Sequence, residues 1–416
     1  MDKYILKDLI NVKRGMSLSG EYYSTEGDLI RLTLGNFQEE GGFKINTSKD
    51  DLYFTGPVRD EFILAEGDII TPLTEQVVGL LGATARIPES GKYIQSGDVA
   101  LIKCISDKID DGYCYYLISS DVVRRQLSAA AQQTKIRHTS PEKIMDCKVF
   151  IPEVNEQKKI AHLLDNINKK IELNNKINDN LQQLIVDTYN YWFVQFCFPN
   201  ESSKPYKYAD GEMVFNSAIS RYIPVNWCIS KISEICNTQL GGTPDTSNEE
   251  YWGGDIPWLN SGEVAISPII TAEKSITALG LKKSATSFSK AGAVLLSITR
   301  YIRPSVLGLD ACYNQSVVSI EPTSEIKTEY LYPFFLSMVD TYMALRSGAQ
   351  QPHINKKIVD DTLIPVPPAE ILSKYYEKVS PILTLQIAIA KESKELKTLR
   401  DSLLPLLMSG QATIAD

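Results

Sequence analysis

The chain has 416 residues, of which 43% are hydrophobic and 23% charged, and its formal net charge is -8 at pH 7. This composition predicts folded domains rather than disorder, and the acidic balance argues against a protein that coats nucleic acid by bulk attraction. No apolar run approaches the roughly 18 residues of a membrane helix, and the charged start argues against a signal peptide. Seven cysteines without a C-x-x-C pair favour a reducing compartment. A cytoplasmic protein is therefore expected.

The first half of the chain has the pattern of a mixed α+β domain followed by one long helix. Val99 to Cys104 is a β-type run after turn formers, and a short helix is predicted from Tyr113 to Leu127. From Ile160 to Trp192 a seam recurs at alternating steps of four and three, which predicts a coiled-coil helix. Asn174 and Asn178 lie on this seam. They either fix the register of the helix or face solvent where the helix curves.

The second half repeats this order. The polar stretch Pro199 to Gly211 predicts a linker, Val317 to Ile320 a strand, and Glu329 to Leu345 a short helix. Pro381 should kink the last helix or delay its start. Two seams most simply pack against each other, and an antiparallel pair would place the two halves at opposite ends of a rod. The second seam consists of Tyr375, Ile382, Leu385, Ile389, Leu396, Leu399, Leu403 and Leu406.

A short motif indicates an internal duplication. Ala131-Gln132-Gln133 recurs as Ala349-Gln350-Gln351, at a separation of 218 residues. Each copy leads into a proline-bearing apolar stretch and then into one of the long helices. The repeat predicts two copies of one α+β domain, each followed by a helix.

The motifs of common cofactor and catalytic sites are absent from the sequence. There is no G-x-x-x-x-G-K-[ST] loop and no G-x-G-x-x-G fingerprint. The three histidines have no partners at metal-ligand spacing. The triplets Glu392-Ser393-Lys394 and Glu395-Leu396-Lys397 are typical of charge pairs on a helix rather than of a nuclease cleft. We therefore expect a binding protein with no cofactor and no metal.

The junctions between domains and helices resemble those of a known family. Ala131-Gln132-Gln133 with Ile151-Pro152 and Glu156-Gln157-Lys158-Lys159-Ile160, and Gly348-Ala349-Gln350-Gln351-Pro352 with Ile364-Pro365-Val366-Pro367-Pro368, look like junctions of the DNA specificity subunit of type I restriction-modification systems. Gly241-Gly242-Thr243-Pro244 and Asp255-Ile256-Pro257-Trp258-Leu259 are similar to the opening of its target recognition domains. Glu156-Gln157 has no equivalent before the second helix, because Ile371 follows Glu370.

The resemblance implies an α+β fold with two target recognition domains in tandem, each followed by a long helix, and the two helices form an antiparallel coiled coil. The boundaries expected from it are 1–152 for the first recognition domain, 153–198 for the central helix, 199–220 for a linker, 221–367 for the second recognition domain and 368–410 for the C-terminal helix.

The function that the resemblance implies is that of a non-catalytic subunit, which directs a complex to a bipartite DNA site whose gap is set by the coiled coil. Its partners would be double-stranded DNA, two methyltransferase subunits and the restriction or translocase subunits. S-adenosylmethionine, ATP and Mg would belong to those partners, as would adenine-N6 methylation and ATP-dependent cleavage. The alternative is a protein-interaction scaffold without DNA selectivity.

Candidate DNA contacts follow from the side chains that hydrogen-bond base edges, which are Arg or Lys at guanine and Gln or Asn at adenine. The two glutamine pairs either read bases or support their loops. Arg300 and Arg303 either read bases or only position phosphate. Trp258 packs against DNA or lies in the core. The candidates are Arg125, Gln132, Gln133, Lys135 and Arg137 in the first domain and Lys282, Lys283, Arg300, Tyr301, Arg303, Gln350, Gln351, Lys356 and Lys357 in the second.

Overall fold

The computed structural model describes residues 1–38, 41–75, 79–130, 137–348 and 350–414. The chain divides into two compact units. Unit 1 comprises Met1–Lys170 and Leu396–Asp416, and unit 2 comprises Ile171–Glu395. Each unit thus contains one recognition-domain fold together with part of each long helix.

Unit 1 is built on a four-stranded antiparallel sheet of order β2-β10-β6-β8 and a second sheet of order β3-β5-β4-β9. A two-stranded ribbon, β1 with β12, joins the beginning of the domain to its end. The elements are β1 (Asp2–Ile5), β2 (Ile10–Arg14), β3 (Tyr23–Ser24), β4 (Ile30–Arg31), β5 (Tyr53–Phe54), β6 (Ile69–Pro72), β7 (Thr74–Glu75), β8 (Ala85–Arg86), β9 (Tyr93–Ile94), β10 (Val99–Cys104), α1 (Asp111–Ile118), α2 (Asp121–Ala130), β11 (Arg137–His138), α3 (Pro141–Met145), β12 (Lys148–Ile151) and the start of α4 (Val154–Tyr189).

Unit 2 has the same plan, with sheets of order β16-β23-β20-β21 and β18-β17-β22-β19 and a closing ribbon of β15 with β24. Its elements are β13 (Met213–Asn216), β14 (Arg221–Pro224), β15 (Cys228–Lys231), α5 (Ile232–Ile235), β16 (Asn237–Leu240), β17 (Trp252–Leu259), β18 (Lys274–Ile276), α6 (Ala278–Lys283), β19 (Ser287–Ser289), β20 (Val294–Ser297), β21 (Arg303–Val306), β22 (Ala311–Tyr313), β23 (Val317–Glu321), α7 (Thr328–Ser337), α8 (Val339–Ala344), α9 (Lys356–Asp360), β24 (Leu363–Val366) and α10 (Ala369–Ser409).

The predicted duplication is confirmed by this topology. In both units the last strand of the main sheet by sequence lies next to the first, and a parallel pair recurs in the second sheet, as β4 with β9 and β17 with β22. The two predicted short helices are also found. Each is split in two, into α1 and α2 or into α7 and α8.

The seam of the first long helix is confirmed. Ile160, Leu164, Ile167, Ile171 and Ile185 are buried along α4. This recurrence at steps of three and four therefore marked the inward face correctly.

The polar residues of that seam also point inward. Asn174 is 1% exposed, and its Nδ2 donates a hydrogen bond of 2.7 Å to Oε2 of Glu392 in α10. Gln386 Nε2 lies 3.5 Å from the backbone carbonyl oxygen of Asn178. The solvent-facing interpretation is therefore wrong for Asn174, and its role in helix register stays a prediction.

The seam predicted for the second long helix is wrong by one residue. Leu385, Leu399 and Leu406 are exposed by 48%, 47% and 40%. One residue turns a helix by about 100°, so the predicted seam runs along the edge of the buried face. Tyr375 is buried as predicted, and the other members are half-buried, namely Ile382, Ile389, Leu396 and Leu403. The residues buried at alternating steps of four and three are Leu372, Tyr376, Val379, Leu383, Gln386, Ala390 and Ser393.

Two expectations about chain breaks also need correction. α10 begins at Ala369 and runs through Pro381 to Ser409, so the proline does not delay its start. Pro381 is exposed, where water can reach the carbonyl that loses its helical donor. The predicted linker is folded, since Phe198 stacks on Tyr206 at 4.7 Å between ring centroids and on Trp227 at 5.7 Å.

A polar network attaches the unit 1 domain to the long helices. Asp165 Oδ1 accepts hydrogen bonds from Arg86 Nη1 at 2.8 Å and from the Tyr116 hydroxyl at 2.6 Å. Asn168 donates to the same hydroxyl at 3.0 Å and accepts from Arg400 Nη1 at 3.2 Å. Burial disfavours the charge of Arg86, but the hydrogen bond and charge of Asp165 outweigh it and raise the pKa of Arg86. β8, α1, α4 and α10 are thereby linked within one unit.

Unit 2 uses aromatic packing where unit 1 uses this network. Phe193, in a π-helical turn that follows α4, lies 4.7 Å from Tyr375 and 4.9 Å from Tyr330 between ring centroids. Trp192 lies 5.7 Å from Tyr375. Such pairs contribute beyond their buried area, so aromatic packing helps to hold the second domain to its helices, together with hydrogen bonds from the Tyr375 and Tyr376 hydroxyls to backbone carbonyls.

Replacing Asp165 by alanine should destabilise the protein by about 2 kcal/mol, because the substitution leaves the half-buried Arg86 cation and the Tyr116 hydroxyl without their shared acceptor. Urea unfolding of the full chain measures this loss. As a control, Glu370→Ala removes a carboxylate whose partner is the exposed Lys374, and it should produce no measurable change. Equal effects of the two substitutions would contradict a structural role for the network.

Candidate nucleic-acid interface

Two loops of unit 2 are joined into one surface. The first, residues 299–303, connects β20 to β21, and the second, residues 346–353 without Ala349, connects α8 to α9. Arg300 N donates to the Pro352 carbonyl at 2.8 Å, and Ile354 N donates to the Ile298 carbonyl at 3.0 Å. We call these two loops the paired-loop surface. These backbone hydrogen bonds hold the two loops side by side.

The first loop presents two cations and an aromatic ring. Arg300 is exposed, and its φ of 62° places a residue other than glycine in the left-handed region. The Cζ atom of Arg303 lies 5.0 Å from the centroid of the Tyr301 ring, which is 55% exposed. Guanidinium groups can hydrogen-bond guanine or phosphate, and an exposed ring can stack. Three predicted site residues are therefore brought together here.

The second loop adds amides and further basic groups. Gln350 and Gln351 are both exposed. Sequence reasoning did not select Arg346 and His353 as DNA contacts, although they flank the Ala349-Gln350-Gln351 motif. His353 is exposed and pairs with Ser347 through two backbone hydrogen bonds of 3.0 Å. Their position beside the repeated motif is the signal that could have identified Arg346 and His353.

The remaining predicted residues of the second domain lie elsewhere or have partners. Lys356 Nζ forms an ion pair of 2.7 Å with Asp360, whereas Lys357 is exposed. Lys282 and Lys283 are exposed in the last turn of α6, which packs against β17 and β18. These two lysines thus accompany a different sheet from the one that carries the paired-loop surface.

The first domain gives a less complete surface. Arg125 is exposed and forms a 3.2 Å ion pair with Asp121. Arg137 Nη1 lies 2.9 Å from Oε1 of Glu75, whose side chain is 2% exposed, and Arg137 Nη2 donates to the Ser128 carbonyl at 2.7 Å. The Arg137 guanidinium thus neutralises a buried carboxylate, and DNA reading by it remains a prediction. Gln132, Gln133 and Lys135 lie outside the described residues.

The Gly-Gly-Thr-Pro motif is explained by packing. A Cβ on Gly241 would lie 2.3 Å from the carbonyl oxygens of Tyr313 and Asn314, so the close approach of these chains requires glycine. Trp258 is 6% exposed, and its Nε1 donates to the Gly242 carbonyl at 3.1 Å. The interpretation of Trp258 as a core residue is confirmed.

Over the ranges that the structure describes, no group of three or more His, Cys, Asp or Glu side chains is placed to hold a metal ion. In the same ranges, no helix is both long and apolar enough to span a membrane.

The paired-loop surface offers hydrogen-bond donors, positive charge and the exposed ring of Tyr301. These groups suit binding to base edges and phosphates.

Comparisons with known proteins agree with this geometry. The family model described as "Type I restriction modification DNA specificity domain" matches residues 1–183 and 224–398. The MjaIX specificity subunit of Methanocaldococcus jannaschii is 22% identical over 318 residues, which cover 74% of this chain and 71% of that protein. The HindI specificity subunit of Haemophilus influenzae is 24% identical over 321 residues, covering 65% and 70%.

A solved structure also shares the fold. The S subunit of a type I restriction-modification system from M. genitalium has a TM-score of 0.58 and 15% sequence identity, over 98% of this chain and 96% of that one. The likeness thus extends along nearly the whole chain.

Proposed function

Because the chain belongs to the type I restriction-modification DNA specificity family, we propose that each of its two recognition domains reads one half of a bipartite DNA site. As a specificity subunit it is not itself an enzyme. The observation that carries the proposal is the duplicated fold, in which one topology recurs with different surface loops. Two copies with different side chains suit two half-sites of different sequence.

The proposed reader of the second half-site is the paired-loop surface. Arg300, Tyr301, Arg303, Gln350 and Gln351 lie together there and are exposed. Lys282, Lys283 and Lys357 are exposed cations that we assign to phosphate contacts, which position the protein without reading sequence. In the first domain the proposed contacts remain Arg125, Gln132, Gln133, Lys135 and Arg137.

The two long helices are proposed to form an antiparallel coiled coil that sets the gap between the half-sites. Supporting this, Asn174 and Asn178 contact Glu392 and Gln386, so residue numbers fall along α10 as they rise along α4. Buried polar pairs of this kind restrict coiled coils to one alignment. The proposed boundaries are 1–152 and 221–367 for the recognition domains, 153–198 and 368–410 for the helices, and 199–220 for the connection.

The proposed partners are two methyltransferase subunits and the restriction subunits of the same system, acting on double-stranded DNA in the cytoplasm. The assembled complex would methylate adenine at N6 and cleave DNA with ATP, and those subunits would bind S-adenosylmethionine, ATP and Mg. The net charge of -8 supports this division, because a strongly acidic chain gains DNA affinity from basic partners.

The test is to map N6-methyladenine genome-wide in a host that expresses this chain with its methyltransferase subunit, against a host that lacks this chain. A bipartite motif that appears only when the chain is present is the expected result. A soluble, assembled complex that produces no such motif would favour the alternative of an interaction scaffold without DNA selectivity.

A further inference from the structure

The inference begins with the backbone of Arg300, which stands in the left-handed region at φ 62°. An L-residue with a Cβ rarely adopts this conformation unless its surroundings hold it there. Such outliers cluster at functional sites, where the strained conformation sets the direction of a side chain. Among the residues that the structure describes, Arg300 is one of five non-glycine residues with a positive φ, and it lies on the paired-loop surface between Thr299 and Tyr301.

Three hydrogen bonds hold this conformation. Arg300 N donates to the Pro352 carbonyl at 2.8 Å, and Tyr301 N donates to the Thr299 carbonyl at 2.7 Å. The Arg300 carbonyl accepts a hydrogen bond from Nη1 of Arg346. Two of these three contacts tie the strained turn to the second loop.

Arg346 is fixed from its other side as well. Its Nε donates to the carbonyl of Met343, in the last turn of α8, at 3.0 Å, and the Arg346 side chain is half-buried. One planar guanidinium therefore bridges the end of a helix and the strained turn. A lysine carries the same charge, but its single ammonium group lacks the rigid fork that reaches two carbonyls at once.

We propose that Arg346 is a positioning residue that determines the base selectivity of the second half-site by holding the Arg300 turn, and this inference rests on the proposed function above. Arg346 acts through the carbonyl of Arg300 and not by touching a base. Without the Arg346 guanidinium, the backbone of Arg300 can relax out of the left-handed region. The side chains of Arg300, Tyr301 and Arg303 then lose their fixed orientation toward the DNA.

The test compares Arg346→Ala and Arg346→Lys by mapping N6-methyladenine in cells that co-express the methyltransferase subunit. We expect both variants to broaden the second half-site, with discrimination against single mismatches reduced about tenfold and the first half-site unchanged. The matched control is Lys357→Ala, which removes an exposed cation from α9. It should weaken methylation of all sites equally and keep the motif.

Comparison of the two half-sites in the methylated motif distinguishes the possible outcomes. Wild-type selectivity of Arg346→Lys would mean that only charge matters and would overturn the inference, as would an unchanged motif in Arg346→Ala. Equal loss of both half-sites in the two variants would indicate a defect of folding or assembly and would also overturn it. Absence of any bipartite motif with the unaltered chain would instead contradict the proposed function.

Discussion

Replacing Arg300 and Arg303 together by alanine is expected to erase selectivity for the second half-site while the first half-site stays fully specified. Both side chains are exposed on one loop, and each good base contact is worth about 1–3 kcal/mol of discrimination. Loss of one such contact corresponds to roughly a 5- to 150-fold loss of preference for the correct base. Mapping of methylated adenines measures this loss directly, because the two half-sites appear in one motif.

The matched control for this pair is the double substitution Lys282→Ala and Lys283→Ala. It also removes two exposed positive charges, but from α6 instead of the paired-loop surface. Loss of a phosphate contact weakens binding to every DNA sequence alike. If the arginine variant also keeps the parent motif at reduced intensity, the two arginines are phosphate contacts and do not read bases.

Removing one heptad from each long helix should abolish methylation of the parent motif and replace it by one with a shorter gap. The residues to delete are 171–177 and 389–395, which are centred on Asn174 and Glu392, a hydrogen-bonded pair. Seven helical residues span about 10 Å, which corresponds to about three base pairs. The half-site sequences themselves should not change, because the paired-loop surface lies outside both deletions.

Deleting residues 171–177 alone is the informative comparison. It should destabilise the helix pair, because Glu392 loses its Asn174 partner and every later contact shifts by one heptad. The hypothesis that the coiled coil sets the gap between the half-sites is wrong if the complex with the doubly deleted chain still methylates the parent motif at its original gap.

The two seams show how far a periodic pattern can be read without a structure. Along α4 most apolar residues recur in one stripe, and this stripe is the buried face, although Leu173 and Leu184 lie outside it. Along α10 they occupy more than one face, while Gln386 and Ser393 are buried. Gln386 faces the inward side because it contacts the Asn178 carbonyl on the partner helix. A pattern of hydrophobicity alone places such a residue outside.

The candidate site was predictable in its location but not in its detailed contacts. The repeated glutamine motif marked the second loop, and the basic run marked the first. Arg137 looked equally suitable as a reader, yet it neutralises Glu75, a carboxylate buried by tertiary folding. Arg346 was not selected, because its importance depends on the strained carbonyl of Arg300. Neither partner is close to its arginine in the sequence.

The exposed leucines of α10 affect how readily this protein aggregates or is degraded in the cell. Leu385 and Leu399 leave large apolar side chains in water, and Leu173 and Leu184 do the same on α4. Exposed apolar surface promotes aggregation and attracts chaperones and proteases. A chain that keeps these leucines in water is therefore more prone to aggregation and degradation than one whose long helices bury all their leucines.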